Sequence, residues 1–211
     1  MIVLSAYLLG SIPTGYLLAR FRGVDIRQVG SGNIGATNVF RILGKKAGTF
    51  VLLADALKGF MACYFLGEIA EELFRGKVNQ AATPREYYSL VAGLAAILGH
   101  NYTCWLRFRG GKGIATSAGV LIALVPWALL IILAIWIIVF ATSRYVSLAS
   151  ISAAFSLPFA VWLTHGTRAM VLIMAGVGAL AIYKHRANIQ RLIQGTEPKV
   201  GAKKPAHAST T

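Results

Sequence analysis

Charged side chains are scarce in this chain of 211 residues. They make up 13% of the sequence, whereas hydrophobic residues make up 56%. A soluble domain typically carries about 25% charged residues, so a globule of this size would have too few charges to cover its surface. The composition also excludes collagen-like and disordered chains. It indicates an integral membrane protein.

Acidic residues and cysteines are scarcer still. Seven Asp and Glu oppose 21 Lys and Arg, which gives a formal net charge of +14. This excess indicates an anionic partner, namely a phosphorylated metabolite, an anionic lipid or a nucleic acid, and the long apolar runs argue against nucleic acid. Cys63 and Cys104 show neither a metal-ligand spacing nor a disulfide framework. We therefore expect two packing cysteines, no metal site and no cofactor.

Familiar catalytic signatures are absent as well. The chain has no Gly-x-Ser-x-Gly motif and no His followed five residues later by Asp. Lys112 is followed by Gly113 rather than by Ser or Thr, so the glycines around it do not form a Walker A loop. These absences argue against a serine-hydrolase nucleophile and against nucleotide hydrolysis.

Apolar runs long enough to cross a bilayer recur along the chain. A transmembrane helix needs about 20 mainly apolar residues, and Pro126 separates two runs that would otherwise form one overlong segment. We predict an all-α membrane protein with seven spans, at residues 2–19, 47–67, 87–104, 114–126, 127–143, 146–164 and 167–184. The first run has no basic leader region and no cleavage site, which favours a retained helix over a signal peptide.

Positive charge differs sharply between alternate loops. Sixteen Lys and Arg fall in residues 20–46, 105–113, 144–145 and 184–204, against four in the remaining loops. Because Lys and Arg concentrate on the cytoplasmic side, we predict an N-terminus outside and a C-terminus in the cytoplasm. Residues 1–197 are expected to form one membrane domain, followed by a mobile cytoplasmic tail at 198–211.

Three polar, glycine-rich segments lie on the predicted cytoplasmic side, at residues 30–41, 99–116 and 184–197. In the first, glycines alternate with small donors, a pattern typical of an anion nest, and Arg41 can add a bidentate phosphate contact. The donors are Ser31, Asn33, Thr37 and Asn38, and Gly35 lies between Asn33 and Thr37. A helix cap with a tight turn is the alternative, but the combination of donors and Arg favours a phosphate site.

The second segment centres on Gly110, Gly111, Lys112 and Gly113, just before an apolar helix. A helix N-terminus with exposed amides and a point charge suits a phosphate, although a basic loop that only anchors topology is the alternative. His100, at the end of the preceding helix, is equally compatible with an interfacial histidine and with a site residue.

The third segment places His185 and Asn188 three residues apart, on a helix face that Arg191 continues. An amphipathic helix lying on anionic head groups is an equal alternative. Asp55 and Lys58 lie inside a predicted span, where charges are costly and indicate function by default. A mutual ion pair is at least as well supported there as a ligand contact.

Taken jointly, the three segments resemble the three cytoplasmic motifs of the bacterial acyl-phosphate:glycerol-3-phosphate acyltransferases, the PlsY family. The similarity extends to residues 10–12, 55–59 and 144–150 and reaches Glu197. It implies transfer of a fatty acyl group from acyl phosphate to the 1-hydroxyl of glycerol 3-phosphate, the first acylation of phospholipid synthesis. Lysophosphatidate and phosphate are the implied products, and neither acyl-CoA nor a metal is implied. The implied location is the bacterial inner membrane, among membrane lipids, with the active site facing the cytoplasm.

By motif match, the resemblance implies site residues in all three segments. Catalytic roles are implied for Ser31, Lys112, His185 and Asn188, and phosphate binding for Asn33, Gly35, Thr37, Asn38, Arg41, Gly110, Gly111 and Gly113. The chain departs from the family at Ala187, where the third motif usually carries Glu. The role of that carboxylate is therefore absent here or supplied by Glu197. Residues 144–150, which open the sixth span with small residues, are interpreted as close helix packing.

The activated donor sets the expected mechanism. Acyl phosphate is a mixed anhydride, so the protein must mainly orient the reactants and stabilise developing charge. The missing nucleophile signatures favour direct attack by the glycerol hydroxyl, without an acyl-enzyme. The general base stays open between His185 and a substrate phosphate, and the neighbouring cations Lys184 and Arg186 favour the phosphate.

The composition is also compatible with two other functional classes. A transporter of an organic phosphate would require polar residues through the bilayer midplane, where the spans offer only Asp55 and Lys58. A scaffold protein would bind lipid without turning anything over. The expected partners are acyl phosphate, glycerol 3-phosphate and membrane lipids, with no nucleic acid; the oligomeric state stays open, a monomer being one option.

Overall fold

All the regular secondary structure in the described part of the chain is helical. The computed structural model describes residues 1–75, 85–164 and 167–201, and within these ranges it contains no β-strand. The helices are α1 (Ile2–Ser11), α2 (Thr14–Phe21), α3 (Ala36–Leu43), α4 (Lys45–Met61), α5 (Gly67–Phe74), α6 (Arg85–Asn101), α7 (Ile114–Leu124), α8 (Pro126–Ser143), α9 (Val146–Thr164), α10 (Arg168–Lys184) and α11 (Arg186–Ile193). A π-helical segment (Ala62–Leu66) joins α4 to α5, and a 3₁₀ turn (Cys104–Leu106) follows α6. The all-α prediction is confirmed for these residues.

Several helices are long and apolar enough to cross a membrane. Among the described residues they are Ile2–Phe21, Lys45–Phe74, Pro126–Ser143 and Val146–Thr164, with a fifth if α10 and α11, bent by 57°, form one broken span. Helix α7 is apolar but has only 11 residues. The structure therefore supports a multi-pass membrane protein, whereas the count of seven spans and the orientation of the termini stay predictions.

Prolines shape two of these boundaries. Pro126 occupies the first turn of α8, where its missing N–H costs nothing, and it separates α7 from α8 as predicted. Pro13 divides the predicted span 2–19 into α1 and α2, because the residue before a proline is pushed out of the helical region. Ile12 accordingly has φ −56° and ψ 113°. The first span is thus a broken helix rather than a continuous one.

Small residues bring α4 and α7 into close contact. A Cβ on Gly59 would overlap the carbonyl oxygen of Thr116, and a Cβ on Gly119 would overlap that of Ala56. Interfaces built on small residues are typical of membrane helices, because backbones can then approach closely. This contact fixes the N-terminal end of α7, and with it the end of the second polar segment.

The charges inside α4 form a mutual ion pair. Asp55 Oδ1 and Lys58 Nζ are 2.9 Å apart, and both side chains are buried. Lys58 Nζ also donates to the carbonyl oxygen of Ile12 at 2.9 Å, at the break between α1 and α2. Of the two interpretations of this pair, the structure supports the ion pair.

The chain returns toward α9 after α11. The Val200 N–H donates to the Arg144 carbonyl oxygen at 3.0 Å, and Lys199 Nζ lies 5.1 Å from the centre of the Tyr145 ring. Residues 198–201, expected to begin a mobile tail, therefore contact the start of α9. Residues 202–211 of that predicted tail lie outside the described residues.

Candidate active site

The three polar segments meet at one pocket. Its volume is about 240 Å³. The first segment contributes Ser31, Gly32 and Asn33, the second Gly110 and Lys112, and the third Lys184, Arg186, Ala187, Asn188 and Arg191. All three segments therefore contribute to the lining of one pocket.

Asn38 organises the first segment from behind. It is buried, and its Oδ1 atom accepts the Ser31 N–H at 2.9 Å. Its Nδ2 atom donates to the carbonyl oxygens of Ile26 and Val29 at 3.1 and 3.0 Å. Both ends of the amide are used within the loop, so Asn38 holds Ser31 in place, and it is not among the residues that line the pocket.

Three further residues of the first segment are also absent from the pocket lining. The Gly35 N–H, at the start of α3, donates to Asn33 Oδ1 at 2.9 Å. Thr37 lies half-buried in the first turn of α3. Arg41 is exposed and lies 3.5 Å from the Pro198 carbonyl oxygen. Its charge nevertheless helps to lower the pKa of Lys112, so it faces the same region.

The second segment presents a lysine rather than free amides. The Gly110 N–H donates to the Asn101 carbonyl oxygen at 3.2 Å, and the Gly111 N–H donates to the His100 carbonyl oxygen at 3.0 Å. These two amides are therefore committed to the C-terminal carbonyls of α6, although Gly110 itself lines the pocket. Gly113, at φ +81°, turns the chain into α7 in a conformation that favours glycine.

A hydrogen-bond chain joins Lys112 to the third segment. Lys112 Nζ donates to Asn188 Oδ1, and Asn188 Nδ2 donates to Glu197 Oε1 at 2.7 Å. The same carboxylate accepts from Ser147 Oγ at 2.7 Å and from Arg191 Nε at 2.7 Å. Glu197 thus fixes the orientation of the Asn188 amide, so that its oxygen points to Lys112.

The pKa values of this chain follow from burial and hydrogen bonds. Burial lowers the pKa of Lys112 to about 8; Glu197 opposes the shift, and the neighbouring cations add to it. Burial alone would raise the pKa of Glu197, but the hydrogen bonds from Ser147, Asn188 and Arg191 lower it on balance. At neutral pH, Glu197 is therefore ionised, and Lys112 is cationic but easily deprotonated.

His185 stands behind the pocket wall, past the C-terminal end of α10. It is buried, and its Nδ1 atom donates to the Ala181 carbonyl oxygen at 2.8 Å, which leaves the lone pair on Nε2 in the neutral ring. Burial and the Lys112 charge lower the pKa of His185 to about 4. The ring is therefore neutral at physiological pH.

Some residues of this site were not expected as site residues from the sequence. Gly32, Lys184, Arg186 and Arg191 line the pocket, and Ser147 joins the hydrogen-bond chain through Glu197, which the sequence had offered only as one alternative. The sequence carried a signal for these basic residues, because Lys184, Arg186 and Arg191 flank His185 and Asn188 within the third segment. The sequence indicates only a packing role for Ser147, since its hydrogen-bond partner Glu197 lies 50 positions away. The fold and the pocket together define a multi-pass helical membrane protein with a cationic site suited to a phosphorylated ligand.

Known proteins agree with this class. The chain matches the family model described as "Glycerol-3-phosphate acyltransferase" over residues 1–195. It is 48% identical over 197 residues to the glycerol-3-phosphate acyltransferase of Geotalea daltonii, with 93% of this chain and 95% of that protein covered. It is 46% identical over 205 residues to the enzyme of the same name from Desulforamulus reducens, with 97% and 96% covered.

Solved structures show the same similarity. The crystal structure of PlsY, an integral membrane glycerol 3-phosphate acyltransferase, in its glycerol 3-phosphate form matches with a TM-score of 0.82 and 42% identity, over 95% of this chain and 94% of that one. Its lysophosphatidic acid form matches with a TM-score of 0.79 at the same identity and coverage. The chain belongs to the glycerol-3-phosphate acyltransferase family, and the resemblance to PlsY is confirmed.

Proposed function

We propose that this protein transfers a fatty acyl group from acyl phosphate to the 1-hydroxyl of glycerol 3-phosphate, on the cytoplasmic side of a bacterial inner membrane. The observation that carries the proposal is a single pocket, beside apolar helices, that is lined by four basic residues. They are Lys112, Lys184, Arg186 and Arg191. Both substrates are phosphates and one carries a fatty tail, so both need cationic contacts next to the bilayer. The glycerol 3-phosphate and lysophosphatidic acid forms of the related PlsY support the acceptor and the product.

The proposed step is a direct acyl transfer. The 1-hydroxyl oxygen attacks the carbonyl carbon of acyl phosphate, and an ester C–O bond forms as the hydroxyl proton passes to a base. The bond between the carbonyl carbon and the phosphate oxygen then breaks, and inorganic phosphate leaves with the electron pair. Negative charge grows on the carbonyl oxygen and on the leaving phosphate, where preorganised lysine and arginine donors stabilise it.

The proposed roles of the site residues follow their positions. Ser31, Asn33 and Lys112 reach the pocket and donate to phosphate oxygens, and Asn188 holds Lys112 toward it. Arg41 and Thr37 remain proposed phosphate contacts at its margin. Loop shape, rather than direct binding, is the proposed role of Gly35, Asn38, Gly110, Gly111 and Gly113.

A substrate phosphate is the proposed general base. His185 has a pKa lowered to about 4, so it is a weak base for a hydroxyl proton. A phosphate with a second pKa of about 6, held dianionic by the surrounding cations, is the stronger base. His185 then keeps the end of α10 and the start of α11 in register through its contact with Ala181.

A donor assay tests the reaction. Purified protein is given labelled glycerol 3-phosphate with either acyl phosphate or acyl-CoA, without added metal. We expect lysophosphatidate to form when acyl phosphate is the donor and not when acyl-CoA is the donor. Product from acyl-CoA at a comparable rate would contradict the proposed donor, and a covalent acyl group on Ser31, trapped and found by mass spectrometry, would contradict direct transfer.

His185→Gln separates the two candidate bases. If a phosphate is the base, the variant keeps turnover well above the uncatalysed rate, with a loss that reflects the disturbed bend between α10 and α11. Turnover at the uncatalysed level, with glycerol 3-phosphate binding intact, would instead assign the base to His185.

A further inference from the structure

A row of buried polar side chains lies beneath the second segment and has no part in the acyl transfer described above. It consists of Lys58 and Asp55 on α4 and of His100 near the C-terminal end of α6, and all three are buried. Ionisable groups inside a membrane protein are costly and are retained where they serve a function. Their position next to the loop of Lys112 suggests what that function is.

Asp55 links the ion pair to the histidine. Its Oδ1 atom lies 2.9 Å from Lys58 Nζ and 3.8 Å from His100 Nδ1. The second distance is too long for a hydrogen bond, but it is short enough for the carboxylate to favour the ring orientation with the proton on Nδ1. Within the described residues, His100 Nδ1 has no hydrogen-bond partner, so the Asp55 carboxylate is the nearby anion available to orient the ring.

The Nε2 side of the His100 ring packs against the glycine loop. A Cβ on Gly111 would overlap His100 Nε2, so only glycine fits between the ring and the loop. The backbone of the same turn is tied down as well, since the Gly110 and Gly111 amides donate to the carbonyl oxygens of Asn101 and His100. The loop that carries Lys112 therefore lies directly on the end of α6.

We propose that Asp55 and His100 are positioning residues for the acyl transfer: their buried contact fixes the Gly110–Gly111 backbone and thereby the place of Lys112 in the pocket. Neither side chain is among the residues that line the pocket, so both act through the loop. Lys58 balances the Asp55 charge and ties it to the break between α1 and α2. The inference rests on the proposed function, because a displaced Lys112 matters only if Lys112 contacts a substrate phosphate.

Hydrogen exchange and kinetics on the full-length purified protein test this proposal. His100→Ala removes the ring under Gly111, and Asp55→Asn combined with Lys58→Met removes the carboxylate without leaving an unpaired buried cation. In both variants we expect faster amide exchange in the peptide covering residues 107–116. We also expect the KM for glycerol 3-phosphate to rise by roughly ten-fold, because small misplacements of a binding group are costly, with a smaller change in kcat.

The alkaline limb of the pH profile is a readout that a mere loss of folded protein would not move. Burial holds the pKa of Lys112 at about 8. The charged and titratable groups that face it are Glu197, which raises that pKa, Arg191, Arg41 and Lys184, which lower it, and His185. A loosened loop admits water to the ammonium and raises its pKa, so the alkaline limb should shift to higher pH in both variants.

Ser89→Ala is the matched control. Ser89 is a buried polar residue of the same helix, but it packs against Gly67 instead of the loop, so exchange in 107–116, the KM and the alkaline limb should stay unchanged. His100→Gln, which keeps a polar side chain against Gly111, should recover part of the loss and serves if either main variant does not fold.

The two hypotheses fail in different ways. Unchanged exchange in 107–116 in the folded variants would overturn the positioning proposal, whatever the kinetics. Faster exchange with an unchanged KM and an unchanged alkaline limb would support the contact with the loop but contradict the role of Lys112 in the proposed function.

Discussion

Lys112 stands where the three polar segments meet, and its charge state connects the structure to the chemistry. It is half-buried in the pocket wall and donates to Asn188. Because burial disfavours its charged form, the folded state is destabilised below about pH 8, and this penalty is relieved as the pH rises toward 10.5. In the proposed function a phosphate dianion bound at Lys112 would offset the same penalty, which would couple ligand binding to the protonation of Lys112.

Binding of glycerol 3-phosphate at about pH 9 should therefore take up a proton. Most Lys112 is neutral above its pKa of about 8, whereas the ligand phosphate, with a second pKa of about 6, is already dianionic. The affinity should fall as the pH rises through about 8. Calorimetry in two buffers of different ionisation enthalpy measures the proton uptake.

Two variants control this measurement. Lys112→Met should abolish the uptake, whereas Arg109→Ala, which removes an exposed cation three residues away, should keep it. Uptake that persists in Lys112→Met would assign the titration to another group.

At the scale of elements, the contact between α4 and α7 determines where the second polar segment ends. Gly59→Ala places a methyl group into the carbonyl oxygen of Thr116, so the helices must separate. Overpacking of this kind costs about 1–3 kcal/mol. We expect a lower midpoint of thermal unfolding in detergent, together with reduced acyl transfer, because the start of α7 moves.

Gly176→Ala on α10 provides the comparison. Nothing lies within 4 Å of the added Cβ there, so the change should be neutral or stabilising by up to about 1 kcal/mol, since Ala is the better helix former. Equal effects of the two substitutions would mean that the contact between α4 and α7 is not tight.

Helix ends could be predicted from the sequence where a local feature marks them. The span 146–164 coincides with α9 (Val146–Thr164), and Pro126 starts α8, because both depend on apolar runs and a proline. Side-chain directions in the polar segments could not be predicted. Asn38 lies among residues typical of an anion nest, yet its side-chain amide forms hydrogen bonds with the backbone of Ile26, Val29 and Ser31.

The hydrogen bonds around Glu197 could be predicted from the sequence only in part. The missing carboxylate at Ala187 pointed to Glu197 as one alternative, and the structure places that carboxylate on Asn188. Its contact with Ser147 depends on how α9 packs beside the chain that follows α11, which no local pattern records. Likewise, the amides of Gly110 and Gly111 are committed only because α6 ends beneath them.

At the scale of the whole molecule, the asymmetry of positive charge sets the expected orientation. Arg22 lies in a segment rich in Lys and Arg, and Arg75 lies in a loop on the opposite predicted side. Both residues are exposed. The pocket opens where the basic segments converge, so the orientation decides which compartment supplies the substrates.

Cysteine labelling tests that orientation. In a background without Cys63 and Cys104, Arg75→Cys should react with an impermeant thiol reagent in intact spheroplasts. Arg22→Cys should react only after the membrane is opened. Labelling of both from the same side would contradict the predicted topology.

A double-mutant cycle between Lys112 and Asn188 tests most directly whether the segments form one phosphate site. In the acyl phosphate assay, each alanine variant should lose roughly 10- to 150-fold in kcat/KM for glycerol 3-phosphate, the equivalent of a charge-assisted hydrogen bond of about 1.5–3 kcal/mol. The double variant should lose little more activity than the more impaired of the two single variants, because the two side chains act through one contact. Losses that simply multiply would show that the second and third segments work independently, and would contradict a shared site.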